Sequence, residues 1–213
     1  MSAFYNMDCM EGMKQFPDKF FELAIVDPPY GIGDKFKGGA NGKMNFNEIV
    51  NKAWDSAPSA EYFKELFRVS KNQIIWGGNY FDLPPTRCFI TWDKEISENF
   101  TLAMAELAWT SFDKLAKIFR LSVPKDGLKI HPTQKPVALY KWLLTNYAKQ
   151  GDKILDTHAG SASSLIACRE MGFEYVGYEI DTDYYNAATK RLEAAKAQVN
   201  IIDLLPKQAT ISE

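Results

Sequence analysis

The sequence has few of the residues that form metal sites or disulfide bonds. Its 213 residues include three cysteines and two histidines. Cys9, Cys88 and Cys168 lie far apart in the chain, and there is no C-x-x-C pair. Too few ligands remain for a structural zinc site, and an odd, scattered set of cysteines is typical of a reducing compartment, where each acts as a small buried apolar side chain. We therefore expect no metal and no disulfide framework.

Long apolar runs and an excess of one charge are also absent. No run approaches the 18 or more apolar residues of a membrane span. The first residues carry an acid early and lack the apolar core of a signal peptide. The 25 Lys and Arg against 27 Asp and Glu give a net charge of −2 at pH 7, which excludes a histone-like polycation but allows a basic face offset by acid elsewhere. Composition thus predicts a soluble, cytoplasmic protein without membrane contact.

Short apolar runs and helical periodicity alternate along the chain. Strands are expected at 20–26, 73–78, 88–92, 105–109, 116–120, 153–156 and 175–180, and helices at 59–69, from Pro136 to Gly151, at 161–171 and at about 183–199. A strand, a helix and a strand within about 28 residues form a βαβ unit, which requires a parallel sheet. The sequence therefore predicts one domain over 1–213 with a doubly wound, mostly parallel α/β sheet.

The segment after Tyr30 is rich in glycine, lysine and asparagine. This composition predicts a mobile loop over 31–52, and long loops within compact domains are usually functional or disordered. A solvated loop with no specific role is the alternative.

Three expected strands carry an acidic residue at or near their carboxyl ends, where doubly wound sheets bind ligands. These residues are Asp27, Asp156 and Glu179, and an acid about 20 residues beyond a strand–helix loop can bind ribose hydroxyls. The loop 157–162 has one glycine and no G-x-G-x-x-G pattern, which favours a nucleoside ligand without a pyrophosphate. A tight turn followed by an exposed glutamate is the alternative.

The sequence Asp27-Pro28-Pro29-Tyr30 follows a buried strand directly. Two prolines hold the backbone extended, so that a carbonyl and the Asp27 carboxylate can face one ligand beside the Tyr30 ring. Two acceptors and a stacking face suit an amino group on a flat heterocycle. The alternative is a rigid surface turn with a packed tyrosine.

Together, four segments resemble the motifs of the S-adenosylmethionine-dependent DNA amino-methyltransferases, which modify adenine N6 or cytosine N4. Residues 27–30 match the catalytic motif and 131–136 (HPTQKP) the cofactor-side motif. Residues 154–164 (ILDTHAGSASS) are similar to the methionine-binding loop and 175–181 (YVGYEID) to the ribose-binding strand. The catalytic motif comes first, as in the circularly permuted β class. A motif that begins with Asp is typical of adenine-N6 enzymes, which makes cytosine-N4 activity the minor option.

The resemblance implies a Rossmann-like methyltransferase that uses S-adenosylmethionine to methylate a flipped-out adenine at specific sites in double-stranded DNA, as in restriction-modification. It assigns catalysis to Asp27, Pro28, Pro29 and Tyr30. It places cofactor contacts at Asp8, Cys9, Asp27, His131, Thr133, Gln134, Lys135, Asp156, His158, Gly160, Ser161 and Glu179. Lys135 has two readings, as a partner of the cofactor carboxylate or as a solvated side chain.

The cofactor loop departs from the family pattern Asp-Pro-Phe-x-Gly-Ser-Gly at three positions. Thr157 and His158 replace Pro-Phe, and Ala162 replaces the second glycine. Alanine fits there if its φ is negative. His158 at the Phe position is expected to pack against the cofactor rather than to act as a base.

Positive charge concentrates in the loop after Tyr30 and in 109–135, and a phosphate-facing surface is one interpretation of it. A solvated face is the other. The candidate DNA contacts are Lys35, Lys37, Lys43, Arg87, Lys114, Lys117 and Arg120. A small recognition insertion is expected within about 80–130, so the target is short, specificity is loose, or a homodimer shares the task.

Two further functions remain open at the level of sequence. One is amino methylation of RNA, because the Asp-Pro-Pro-Tyr chemistry does not distinguish the sugar. The other is a catalytically impaired protein that binds S-adenosylmethionine or DNA, which the altered cofactor loop motivates.

Overall fold

The computed structural model describes residues 1–31, 56–97, 103–122, 130 and 134–204, with side chains described up to residue 197. Within these residues the structure has one sheet of eight strands. The strands are β1 (Ala3–Asn6), β2 (Phe21–Val26), β3 (Ser70–Trp76), β4 (Ile90–Asp93), β5 (Ala105–Thr110), β6 (Lys117–Arg120), β7 (Lys153–Asp156) and β8 (Glu174–Glu179).

Five α-helices and one short 3-10 helix accompany the strands in the described ranges. They are α1 (Cys9–Met13), α2 (Ala60–Val69), the 3-10 turn Gly78–Tyr80, α3 (Val137–Tyr147), α4 (Ser163–Glu170) and α5 (Thr182–Leu204). No helix in this part of the chain is long and apolar enough to span a membrane.

The strands lie in the order β1-β8-β7-β2-β3-β5-β4-β6. Pairing is parallel throughout, except that β5 runs antiparallel to its neighbours β3 and β4. The carboxyl ends of the other seven strands, together with the amino end of β5, therefore meet at one edge of the sheet.

Helices cover both faces of this sheet because its central strands alternate their apolar side chains. On β2, Leu23 and Ile25 belong to the core formed with α3, α4 and α5. Their neighbours Ala24 and Val26 belong to the opposite core, which α1 and α2 close. A strand with both faces buried is typical of a doubly wound fold.

The sequence predictions agree with this architecture in most elements. The βαβ unit is confirmed, since β7 and β8 pair in parallel and α4 connects them. Each predicted strand and helix has a counterpart whose bounds differ by at most a few residues. Sequence reasoning missed β1 and α1, and most of the predicted loop 31–52 lies outside the described residues. The single-domain boundary and the recognition insertion at about 80–130 remain predictions.

Candidate active site

Three carboxylates lie on consecutive strands at the carboxyl edge. Asp27 follows β2, Asp156 ends β7 and Glu179 ends β8. The connection from β2 leads to β3 on one side of the sheet, and the connection from β7 leads to β8 on the other side. The topological switch point therefore lies between β7 and β2. Because strands are about 4.8 Å apart, the three ends span about 10 Å. This is the position at which doubly wound sheets bind ligands.

Both oxygens of the Asp27 carboxylate have partners in the structure. The Tyr30 hydroxyl donates to Oδ1 at 2.7 Å, and the Lys135 ammonium donates to Oδ2. Burial raises the pKa of Asp27 above its usual range, and the Lys135 charge opposes that rise. Lys135, a cofactor candidate from sequence, is only 3% exposed. The interpretation of Lys135 as a solvated side chain is therefore wrong, while its contact with the cofactor remains a prediction.

Asp27 is one end of a partly buried chain of alternating charges. Lys135 Nζ also lies 3.1 Å from Glu106 Oε2, and Lys94 Nζ lies 2.7 Å from Glu106 Oε1. Burial would raise the pKa of Glu106, but the charges of Lys135 and Lys94 lower it to about 2. The two acids and two lysines sum to zero net charge. Sequence reasoning missed Glu106 and Lys94, and the only signal was one acid within the apolar strand β5.

The Tyr30 ring is held by aromatic and backbone contacts. It stacks on Tyr80 with ring centroids 4.9 Å apart and meets the edge of Phe81 at 6.1 Å. The backbone at Gly77 also approaches the ring closely, since Gly77 has φ +68° and a Cβ there would lie 2.2 Å from Tyr30 Cε1. Tyr80 is 50% exposed, so an aromatic surface at the site faces solvent.

Asp156 organises the loop that follows β7 instead of facing outward. Its carboxylate accepts hydrogen bonds from the Ser164 hydroxyl and, at 3.0 Å, from the His158 backbone N–H. Burial raises the pKa of Asp156 to about 7. The condition of a negative φ at Ala162 is not met: its φ is +58°, so alanine occupies a left-handed conformation that normally favours glycine.

Glu179 closes the same loop from the neighbouring strand. Oε2 accepts the Gly160 N–H and Oε1 accepts the Asp181 N–H, each at 2.9 Å. Burial raises the pKa of Glu179 above its usual range. A cavity of about 120 Å³ lies beside it, lined by Met7, Asp8, Cys9, Thr157, His158, Glu179 and Ile180. The predicted cofactor residues Asp8, Cys9, His158 and Glu179 therefore meet at one cavity.

Three of the remaining cofactor candidates are described. Gly160 bonds to Glu179 as above. The Ser161 hydroxyl is buried 3.1 Å from Ser163 Oγ, and Gln134 Oε1 accepts the Ile130 N–H at 3.2 Å. His131 and Thr133 lie outside the described residues. Every cofactor assignment remains a prediction.

The predicted DNA contacts fall on opposite edges of the sheet. Arg87 precedes the amino end of β4, Lys114 follows the carboxyl end of the reversed β5, and Lys117 is the first residue of β6. These three strand ends lie at the edge of the sheet away from Asp27. Arg87 pairs with Asp113 at 3.3 Å. Arg120 lies at the same edge as Asp27. The candidate DNA contacts Lys35, Lys37 and Lys43 lie outside the described residues.

No group of three or more side chains that could bind a metal ion occurs among the described residues.

Comparison with known proteins shows what this chain is similar to. A family model for DNA methylases of the N6/N4 type matches residues 91–190. The type II methyltransferase M.HinfI of Haemophilus influenzae is 24% identical over 93% of this chain and 70% of its own length. These matches support an S-adenosylmethionine-dependent DNA amino-methyltransferase of the N6/N4 type.

Solved structures show that the chain has the same fold as known DNA methyltransferases. The M1.HpyAVI complex with S-adenosylmethionine superposes with a TM-score of 0.61 at 20% identity, over 90% of this chain and 99% of that one. The cytosine-N4-specific PvuII methyltransferase gives the same TM-score of 0.61 at 12% identity, over 94% and 92%. These likenesses confirm the mostly parallel α/β fold. The permuted motif order remains a prediction.

Proposed function

We propose that this methylase transfers a methyl group from S-adenosylmethionine to the N6 amino group of an adenine flipped out of duplex DNA. The observation that carries the proposal is the largely buried Asp27 carboxylate, held by Tyr30 and Lys135 one strand from the cofactor loop. The Asp-Pro-Pro-Tyr sequence favours adenine over cytosine. The likeness to M.HinfI, a type II methyltransferase, supports a site-specific role in restriction-modification.

The residues around the cavity suit an adenosine group. Each Glu179 oxygen accepts one backbone N–H and keeps a second lone pair, which can accept a hydroxyl proton. Asp8 and Cys9 line the same cavity. When bound, S-adenosylmethionine supplies an electrophilic methyl group on its sulfonium. Glu179 would hold its ribose, and the loop that contains Gly160 and Ser161 would lie along its methionine part.

Asp27 and the Pro28 carbonyl act on the amino group of the base. Each carboxylate oxygen has two lone pairs, so one on each oxygen remains for a substrate N–H. Hydrogen bonds from the amino group to these acceptors localise its lone pair and stabilise the positive charge that develops on nitrogen, which is the kind of effect that often dominates catalysis. Holding the two reactants in line supplies the proximity contribution.

Glu106 preserves the negative charge of this acceptor. Lys135 alone would neutralise Asp27 and repel the positive charge that forms on the amino nitrogen. Because Glu106 pairs with both Lys135 and Lys94, the two acids and two lysines sum to zero, whereas without Glu106 the groups around Asp27 would carry a net charge of +1. Lys135 thus orients and ionises Asp27, and Glu106 offsets the cost that Lys135 would impose on the transition state.

Aromatic side chains prepare the site for the base. An amino group that is paired inside a duplex is unreachable, and extrusion of the base costs a few kcal/mol. Stacking on an aromatic ring returns about 1–3 kcal/mol per base. Tyr30 borders Asp27, and the half-exposed Tyr80 extends the aromatic surface toward solvent.

The test uses labelled S-adenosylmethionine with duplex DNA, followed by mass spectrometry of the released nucleosides. We expect N6-methyladenine from the unaltered protein. Asp27→Ala should lower incorporation by about 100-fold or more at saturating cofactor, because the charge stabilisation is lost. Asp113→Ala is the matched control, since Asp113 is exposed at the opposite edge.

Other products would identify other functions. N4-methylcytosine would replace the adenine assignment with the cytosine one. Label in RNA alone would make the protein an RNA methyltransferase. Cofactor binding without incorporation into either nucleic acid would favour the impaired binding protein, and full activity of Asp27→Ala would refute the role of Asp27.

A further inference from the structure

A hydrogen-bonded chain joins helix α2 to the cavity beside Glu179. Tyr62 Oη lies 2.7 Å from Thr157 Oγ1, which lies 2.9 Å from His158 Nδ1. Tyr62 and Thr157 are 3% and 2% exposed. The edge of the Tyr62 ring also meets the His158 ring, with centroids 5.4 Å apart. Two of the three residues at which the cofactor loop departs from its family pattern, Thr157 and His158, are therefore the end of an ordered chain.

Hydrogen-bond accounting fixes the direction of this chain. The Thr157 hydroxyl has one proton to give, either to Tyr62 or to His158. If it gave its proton to Tyr62, the phenol proton would be left buried without an acceptor, because Thr157 is the only partner of Tyr62 Oη in the described structure. An unpaired buried donor is costly. Tyr62 therefore donates to Thr157, and Thr157 donates to His158 Nδ1.

The direction of the chain determines the form of the imidazole. Since Nδ1 accepts, the proton of the neutral ring is on Nε2. Burial lowers the pKa of His158 to about 4, so the ring is neutral at physiological pH. Asp8, Cys9 and Glu179 are the titratable groups that line the cavity with it.

His158 Nε2 is a donor without a partner in the described residues. The ring is partly exposed, and His158 lines the cavity with Glu179. A carboxylate accepts a hydroxyl proton, and a neutral imidazole N–H donates to the oxygen of a hydroxyl. A hydroxyl group satisfies both at once, as neither an amine nor an apolar group would.

We propose that His158 is a binding residue for the cofactor, whose Nε2–H donates to a ribose hydroxyl that Glu179 also binds, with Tyr62 and Thr157 as positioning residues. The proposal rests on the proposed use of S-adenosylmethionine. It assigns to this chain a polar contact where the family pattern has the apolar Phe.

Calorimetry with S-adenosylhomocysteine tests the contact. His158→Phe restores the family residue and should weaken binding about 3- to 10-fold, the range of one neutral hydrogen bond. With the analogues that lack the 2′- or the 3′-hydroxyl, the difference between the unaltered protein and His158→Phe should vanish for one of the two. Thr157→Val, which removes the partner of Nδ1, should weaken binding in the same direction.

Nitrogen-15 NMR tests the tautomer independently of binding. The chain has two histidines, so His131→Gln leaves His158 as the only imidazole signal. We expect the Nε2–H tautomer, unprotonated between pH 5.5 and 8. A ring with its proton on Nδ1, or one that titrates near pH 6.5, would overturn the direction of the chain.

The outcomes separate this inference from the proposed function. If the unaltered protein binds S-adenosylhomocysteine and His158→Phe binds it equally or more tightly, the histidine contact is wrong and the proposed function stands. If His158→Phe loses the same factor with both deoxy analogues, the hydroxyl is not the partner. If the unaltered protein binds neither S-adenosylhomocysteine nor S-adenosylmethionine, both proposals fail.

Discussion

Replacement of Glu106 by glutamine tests the partly buried charge chain most directly. The variant Glu106→Gln keeps the size and the acceptor oxygen of the side chain but removes the charge that pairs with Lys135 and Lys94. The two lysines hold the pKa of Glu106 at about 2 instead of 4.5. Each tenfold change in proton affinity corresponds to about 1.4 kcal/mol, so the Glu106 charge stabilises the folded state by about 3 kcal/mol at pH 7.

The sign of the pH dependence follows from the lowered pKa. The contribution of Glu106 is complete above the pKa of the unfolded chain, 4.5, and is lost as the pH falls through 2. At pH 3 less than half of this contribution remains. Urea denaturation at pH 7 and pH 3 measures both values. The control Glu61→Gln breaks an exposed pair with Lys64 and should cost less than about 1 kcal/mol.

The same variant has a second readout in catalysis. Glu106 raises the pKa of Asp27, so its removal should move the acid limb of the methylation rate toward lower pH. The rate on the plateau should fall, because Lys135 then neutralises Asp27. A cost in Glu106→Gln that equals the cost in Glu61→Gln, or that does not decline between pH 7 and pH 3, would refute the charge chain.

Three further changes probe the surroundings of the site. Gly77→Ala should lower activity and stability more than Gly151→Ala, as measured by methylation rate and thermal unfolding. Both glycines have positive φ, but only a Cβ at position 77 would collide with Tyr30. Tyr80→Ala should weaken the retention of an extruded base by about 1–3 kcal/mol, measured by the fluorescence of 2-aminopurine at the target position. Because the pKa of Asp156 is raised to about 7, its contribution to the free energy of unfolding is lost as the pH rises from about 4 through 7. Asp156→Asn removes this group, so the free energy of unfolding should fall less steeply over that pH range.

Local sequence patterns predicted most of the fold. The strand predicted at 153–156 occurs as Lys153–Asp156, because a short apolar run between polar residues has few alternatives to a buried strand. Strand β1 escaped prediction because its four residues are partly or fully exposed and have no alternating pattern. It exists because β8 offers it a parallel partner, with Ala3 opposite Val176. Such pairing is a tertiary effect that a local pattern does not encode.

The site was predictable only where its residues are consecutive. Asp27 and Tyr30 are three positions apart, so both partners of their hydrogen bond belong to one sequence motif. The bond between Tyr62 and Thr157 joins positions 95 residues apart, across two layers of the fold. No pattern in either segment indicates it, since Tyr62 reads as one of several apolar positions on an amphipathic helix.

The reversed strand β5 explains why an acid from the middle of the chain reaches the active site. Glu106 lies near the amino end of β5, and only an antiparallel strand has its amino end at the edge where Asp27 lies. In a parallel strand the same residue would lie near Lys117, at the opposite edge. Without Glu106, Lys135 would have Asp27 as its only carboxylate partner among the described residues, and the charges around the acceptor for the amino group would sum to +1 instead of zero. The antiparallel pairing is therefore part of the catalytic arrangement, because it supplies the carboxylate that allows a lysine to ionise Asp27 without neutralising it.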